Sequence, residues 1–318
     1  MPGRHALVAV MLAICATAAD AQSYPVKPIK VIVPYTPGSP VDVLARVVTQ
    51  QVAARLAQGI VIDNRPGAGT TLGTKMAASA EPDGYTLLIG ATSFILSFSL
   101  YQNLDYDARS FVPVAMLAHS PQVLVIAPSV PAATVAEFVA YAKANPGKLN
   151  FGFGLGTLPQ ILGESFKIVT GTEIASIPYK GGAQAVTDML GGRIDMNFGA
   201  TVTLAPLARE GKLRALAVTG PDRSRDLPDV PTMTESGLPN VTTVTYYGLM
   251  GPPGLAPDVV GRINSEVNEI LKSPELVASM EKLGFGTKGG SPQDFTALLR
   301  EQNAKWTPIV KTVGFQME

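Results

Sequence analysis

Short apolar runs alternate along the chain with stretches of helical period. Ile29-Lys30-Val31-Ile32-Val33 reads as a strand, and Asp42 to Leu56 as an amphipathic helix with Leu44, Val47, Val48, Val52 and Leu56 on one stripe. Between them lies Pro34-Tyr35-Thr36-Pro37-Gly38-Ser39-Pro40-Val41, a loop of turn-forming residues. The unit recurs. Thr86 to Ile89 leads into Gly90-Ala91-Thr92-Ser93 and a short apolar segment, and Leu149 to Phe151 into Gly152-Phe153-Gly154-Leu155-Gly156-Thr157 and a helix through about Val169. Ile174 to Ile177 leads into Pro178-Tyr179-Lys180-Gly181-Gly182 and a helix through Leu190, and Asp195 to Phe198 into Gly199-Ala200-Thr201 and a further helix. Repeated strand, loop and helix predict an α/β protein with largely parallel sheets.

In open α/β sheets ligands bind beyond the carboxyl ends of the strands, so these loops are predicted to meet at one crevice. Their chemistry suits an anion. Helix N-termini offer unpaired N–H groups and the positive end of the dipole, and glycine lets a ligand approach the backbone, so a carboxylate can be held without Lys or Arg. Thr36, Ser39, Thr92, Ser93, Thr157 and Thr201 add hydroxyls at the same points. Any one of them alone is an ordinary cap or turn residue, and it is their recurrence in phase that points to a site. Tyr35, Phe153 and Tyr179 stand beside the loops, where each reads as a cleft wall or as core packing. Gly152-Phe153-Gly154-Leu155-Gly156 fits neither the dinucleotide nor the P-loop fingerprint, which argues against a nucleotide.

Composition removes other classes. Among 318 residues, 25 Lys and Arg balance 25 Asp and Glu with no basic block, which excludes a nucleic-acid partner. The hydrophobic fraction of 46% excludes disorder, and the length predicts about two domains. The one cysteine and one of the two histidines fall in residues 1–21, a stretch with the three parts of a secretory signal: Arg4 and His5, then Ala6 to Ile14, then Ala19-Asp20-Ala21. Cleavage after Ala21 and a periplasmic location are therefore expected. Lipidation at Cys15 is the lesser alternative, because Ile14 is bulky where a lipobox carries a small residue. The remainder, with His119 as its one histidine and no cysteine, cannot run thiol catalysis or hold a Cys-ligated zinc. His119 has no G-x-S-x-G elbow near it, so a binding protein without metal or cofactor is expected rather than an enzyme.

Several strings are recognisable. Tyr24-Pro25-Val26-Lys27-Pro28-Ile29, Pro34-Tyr35-Thr36-Pro37-Gly38 through Asp42-Val43-Leu44-Ala45-Arg46, Asp63-Asn64-Arg65-Pro66-Gly67-Ala68-Gly69 and Pro82-Asp83-Gly84-Tyr85-Thr86-Leu87 resemble the amino-terminal half of the Bug (TctC-like) solute-binding receptors. Ile177-Pro178-Tyr179-Lys180-Gly181, Asp188-Met189-Leu190-Gly191-Gly192, Gly211 to Thr219 and Asp229-Val230-Pro231-Thr232 continue the likeness in order. The resemblance implies a class II periplasmic-binding-protein fold, two lobes with a central ligand cleft. One lobe would comprise 22–124 and 248–318 and the other 125–247, with crossings at Val123 to Ile126 and Tyr246 to Met250. It also implies a small carboxylate ligand, bound on Tyr35, Thr36, Pro37, Ser39, Asp42, Thr92, Ser93, Phe94, Phe153, Gly156, Thr157, Leu158, Tyr179, Gly181, Ala200 and Thr201. The partner would be the membrane permease subunits of a tripartite tricarboxylate transporter; a sensory role would use the same cleft. Arg65 is read as part of a structural turn.

Departures from the family pattern bear on the ligand. Ser39 and Pro40 replace a freer glycine stretch, which removes one backbone donor at Pro40. Phe153 and Phe94 stand where smaller residues are usual, and Gln160 where His is common. Two added aromatics near the cleft predict a dicarboxylate with a substantial apolar spacer, aromatic or medium-chain.

Overall fold

The computed structural model describes residues 24–101 and 104–313, so the expected signal segment and Cys15 lie outside the described residues. Strands β1 (Ile29–Val33), β2 (Ile60–Asn64) and β3 (Thr86–Ala91) pair in parallel in the order β2-β1-β3. Helix α1 (Pro40–Leu56) covers them, with Leu44, Val48, Val52 and Leu56 buried against Ile29, Val31 and Leu87. Helices α2 (Thr71–Ala78) and α3 (Thr92–Leu100) follow, and then β4 (Val112–Ile126), which is 15 residues long.

β4 serves two sheets. Its residues Val112 to Pro121 pair antiparallel with β9 (Val244–Gly251), which itself lies against β3 and closes the first sheet. Gln122 to Ile126 pair with β7 (Met196–Ala200) on one side, and Val123 to Ile126 with β8 (Arg214–Val218) on the other. The second sheet continues from β7 through β5 (Asn150–Gly154) to β6 (Ala175–Tyr179), these last pairs being parallel. Helices α4 (Val135–Ala144), α5 (Leu158–Thr170), α6 (Gly182–Leu190) and α7 (Thr201–Arg209) belong to this half. The sheets are thus parallel on their flanks and antiparallel where they join, which the strand, loop and helix repetition does not reveal.

The expected crossings move. Val123 to Ile126 pair wholly in the second sheet and Tyr246 to Met250 wholly in the first. The change of partner falls between Pro121 and Gln122, where proline has no N–H to continue the ladder with β9. The returning chain is tied beside it, since the Thr219 N–H donates to Gln122 O at 2.8 Å and the Thr243 N–H to Thr219 O at 2.7 Å.

Helices α8 (Pro257–Ile270) and α9 (Pro274–Lys282) pack on the first sheet, and a short β10 (Gly286–Thr287) pairs with β4. The last helix, α10 (Pro292–Val313), straps both halves. Near its start, Phe295 seats on Gly248 with Phe94, Met116 and Met250. Further on, Trp306 and Val310, with Leu96 and Leu100 of α3, join Leu124, Phe166 and Phe198 in the core of the second half.

Candidate functional site

The carboxyl ends of the parallel strands face each other across a cavity of about 180 Å³. The first half supplies Pro34 to Thr36, Gly38 to Val41, Pro66, Gly67, Gly69, Thr70, Ala91 and Ser93; the second supplies Gly154, Leu155, Thr157 to Pro159, Lys180 to Ala183 and Asn197 to Ala200. Gln122, Thr245 and Tyr247 line it where the two sheets meet.

Helix ends dominate the walls. The N-cap residues of α3, α5, α6 and α7 are Ala91, Thr157, Gly181 and Ala200, and all four line the cavity. None of the four makes a side-chain cap, so the positive ends of four dipoles converge without a side chain satisfying them. Helix α1 differs: Ser39 Oγ accepts the Asp42 N–H at 3.3 Å, and Pro40 opens the helix.

Asp42 explains the shape of that first loop. It is buried, and its carboxylate accepts from the Gly38 N–H at 2.9 Å, Arg46 Nε at 3.0 Å and Asn64 Nδ2 at 2.9 Å. Asn64 Nδ2 also donates to Tyr35 O at 3.1 Å. Burial alone would raise the Asp42 pKa, but the bonds from Arg46, Gly38 and Asn64 outweigh it and hold the carboxyl below its ordinary value. Asp42 therefore pins the loop and is not one of the walls.

Of the expected site residues, Tyr35, Thr36, Ser39, Ser93, Thr157, Leu158, Gly181 and Ala200 line the cavity. Pro37, Asp42, Thr92, Phe94, Phe153, Gly156, Tyr179 and Thr201 do not. Thr92 Oγ1 accepts the Tyr246 N–H at 3.2 Å and Thr201 Oγ1 lies 3.3 Å from Ser120 Oγ, so both hydroxyls join elements inside the protein. Tyr179 turns its hydroxyl to Asp188 at 2.8 Å. Phe153 packs on Phe151 with ring centroids 4.9 Å apart, as two residues on one face of a strand must, and Phe94 stands edge-on to Phe111 at 5.3 Å. Neither added aromatic reaches the cleft, so the reason for an aromatic ligand body falls away.

Other wall residues escaped the sequence reading. Gln122 and Asn197 are polar residues inside apolar strands, and such residues need buried partners. Gln122 Nε2 donates to Thr245 Oγ1 at 2.8 Å and Asn197 Nδ2 to Gly152 O at 2.6 Å. Tyr35 sits at the inner end, its hydroxyl buried, and burial pushes its pKa up to about 12 against a smaller opposing effect of Ser93. Burial, and then the neighbouring Tyr35, also hold Tyr247 above the usual range. Both phenols are donors at neutral pH. Among the described residues that line the cavity, Lys180 alone carries a charge, and it is exposed at the rim. Arg65 pairs with Asp63 at 2.7 Å and is not a wall residue. Among the described residues no group of three His, Cys, Asp or Glu side chains could hold a metal ion.

The receptor family of tripartite tricarboxylate transporters, TctC, matches residues 44–315. The chain belongs to that family. Receptors of the family are periplasmic and bind solutes, and the two-lobe periplasmic-binding-protein fold holds for this chain. BugT of Bordetella pertussis is 34% identical over 319 residues, covering 98% of each protein. Rpa4515 of Rhodopseudomonas palustris, solved with adipate, superimposes with a TM-score of 0.87 at 32% identity, covering 92% of this chain and 98% of that one. MatC from the same organism, solved with bound malate, gives 0.85 at 29% identity, covering 90% and 100%. Among the described residues no helix is long and apolar enough to cross a membrane.

Proposed function

We propose that the protein captures a small aliphatic dicarboxylate, of the size of malate or adipate, and delivers it to the permease of a tripartite tricarboxylate transporter. The observation that carries this reading is the convergence of four uncapped helix N-termini on a cavity whose one charged lining residue, among the described residues, is Lys180. Such a site attracts negative charge and repels cations. At about 180 Å³ the cavity lies below the roughly 300–1,000 Å³ of pockets for larger organic ligands, which favours a compact solute. Leu155, Leu158, Val186, Phe198 and Leu204 supply apolar wall for a spacer between polar ends.

In this reading the lobes are 24–121 with 244–313 and 122–243, and they rotate about the paired crossings at Gln122 and Thr243. The ligand closes them because it contacts both sets of helix ends only in the closed form. Tyr35, Ser93 and Thr245 receive the inner end, and Lys180 faces the outer one. Export by cleavage after Ala21 precedes function.

A thermal-shift series of mono-, di- and tricarboxylates tests this. A ligand present at about 100 times its Kd adds about 2.7 kcal/mol of apparent stability. A series in which no carboxylate raises the melting temperature while a neutral or cationic solute does would overturn the reading.

A further inference from the structure

The two walls of the cavity touch at a pair of glycines. Gly69 lies in the first-lobe turn and Gly156 in the loop before α5, with left-handed φ values of +58° and +71°. A Cβ on Gly156 would lie 3.0 Å from the Gly69 Cα, and a Cβ on Gly69 would run into the Tyr101 hydroxyl and lie 3.5 Å from the Gly156 Cα. Backbone meets backbone here: a side chain on Gly69 would displace the Tyr101 hydroxyl, and one on Gly156 would press the two backbones apart.

Each glycine is presented by a side chain of its own lobe. Gln160 is fully buried in the first turn of α5, and its Oε1 accepts the Gly156 N–H at 2.8 Å. The Tyr101 hydroxyl, just past α3, donates to the carbonyl of Ala68 at 2.7 Å. Close to this contact, Gly67, Gly69 and Thr70 line the cavity from one side and Leu155 and Thr157 from the other, so parting the glycines would open the cavity at that edge.

We propose that Gly69 and Gly156 form the catch of the closed cleft, and that Gln160 and Tyr101 are positioning residues that hold the two halves of the catch in register. The inference rests on the capture reading only for the ligand used as a probe. Contact between bare backbones excludes water from the edge without burying a polar side chain, so the lobes part again at little cost.

Disulfide trapping tests the contact without any ligand. In the full chain carrying Cys15→Ser, the pair Gly69→Cys and Gly156→Cys is expected to form an intramolecular disulfide on mild oxidation, because bridged cysteines need Cα atoms within roughly 7 Å. Adipate or malate should speed it. Two free thiols remaining after oxidation, with and without these acids, would overturn the catch. A second pair of variants separates the catch from the turn's own backbone. Asn accepts a left-handed φ at less cost than Ala, but both carry a Cβ. Gly156→Asn and Gly156→Ala, whose Cβ would meet the Gly69 Cα at 3.0 Å, should each weaken binding of the acid that binds wild type by about tenfold or more, with the unliganded melting temperature little changed. Wild-type affinity in the Asn variant would show that glycine serves only its own turn. Tyr101→Phe should weaken binding several-fold with unliganded stability unchanged; equal loss of both would make Tyr101 merely structural. A wild-type protein that binds neither acid while the cysteine pair still bridges would leave the catch standing and defeat the carboxylate reading.

Discussion

On the first-lobe side of the cavity the loop from Tyr35 to Val41 is pinned by side chains, with Asp42, Asn64 and Ser39 each tying it to α1 or β2. On the second-lobe side several ties end on backbone carbonyls instead, with the Leu155 N–H donating to Tyr179 O at 3.0 Å and the Thr157 hydroxyl to Gly154 O at 2.5 Å, while Gln160 Oε1 accepts the Gly156 N–H. The difference reaches the helices. Ser39 caps α1, whereas Thr157, Gly181 and Ala200 leave α5, α6 and α7 uncapped. One side is a shaped seat, and the other keeps most of its free donors for what sits there. The second lobe also borrows part of its core, since Trp306 and Val310 come from the C-terminal strap.

The borrowed core gives the largest expected effect. Trp306 is 3% exposed, and its Nε1 donates to Gln302 Oε1 at 3.1 Å. Trp306→Ala should cost about 3–5 kcal/mol. Hydrogen exchange should show the loss in β5 and β7 before β1 and β3; equal loss in both lobes would erase the asymmetry. Next comes the seat. Asp42→Asn should cost about 2–3 kcal/mol, because it weakens charge-assisted bonds in a buried position. The Asp42 pKa is lower folded than unfolded, so its contribution is complete above about pH 4–5 and is lost as pH falls through the folded value. Melting temperatures followed from about pH 6 to 2 should therefore fall less steeply in Asp42→Asn than in wild type.

Lys180→Gln addresses the other side. It should weaken a dicarboxylate by about two- to five-fold without moving the melting temperature, with the effect fading in high salt. Equal weakening of a monocarboxylate of the same length would remove Lys180 from the outer end. The smallest effect concerns His119, half-buried under β10, whose pKa is lowered by burial and then by the charge of Lys288. The folded site binds fewer protons than the unfolded chain, so stability falls as pH drops below the unfolded value of about 6.5. His119→Gln should flatten the stability curve between about pH 7 and 5, read by urea titration.

Much of the fold was legible because each local signal was complete. Ile29 to Val33 is strand β1, the stripe of Leu44, Val48, Val52 and Leu56 is the buried face of α1, and the helices after Thr157 and Gly182 end where the apolar period ends. Half of the expected site residues line the cavity because a residue at a helix start is fixed by the same turn chemistry that marks it in sequence. The misses share a cause. Periodicity states that Phe153 and Phe94 are buried but not in which direction, and both point into cores. It marks Tyr246 to Met250 as strand without naming the partner. Lys180 is one exposed lysine in a loop, and only the folded chain brings it to the rim.

The strap also sets a clock. A chain leaves the ribosome N-terminus first, and domains fold as units once their residues are present. Here the core around Phe166 and Phe198 is incomplete until Trp306 and Val310 arrive, and the first sheet waits for Val244 to Gly251. The first half cannot finish before Val244 to Gly251 have been made, nor the second before Val310. A protein built this way stays unfinished during synthesis, the state in which a chain destined for export can still be threaded across a membrane.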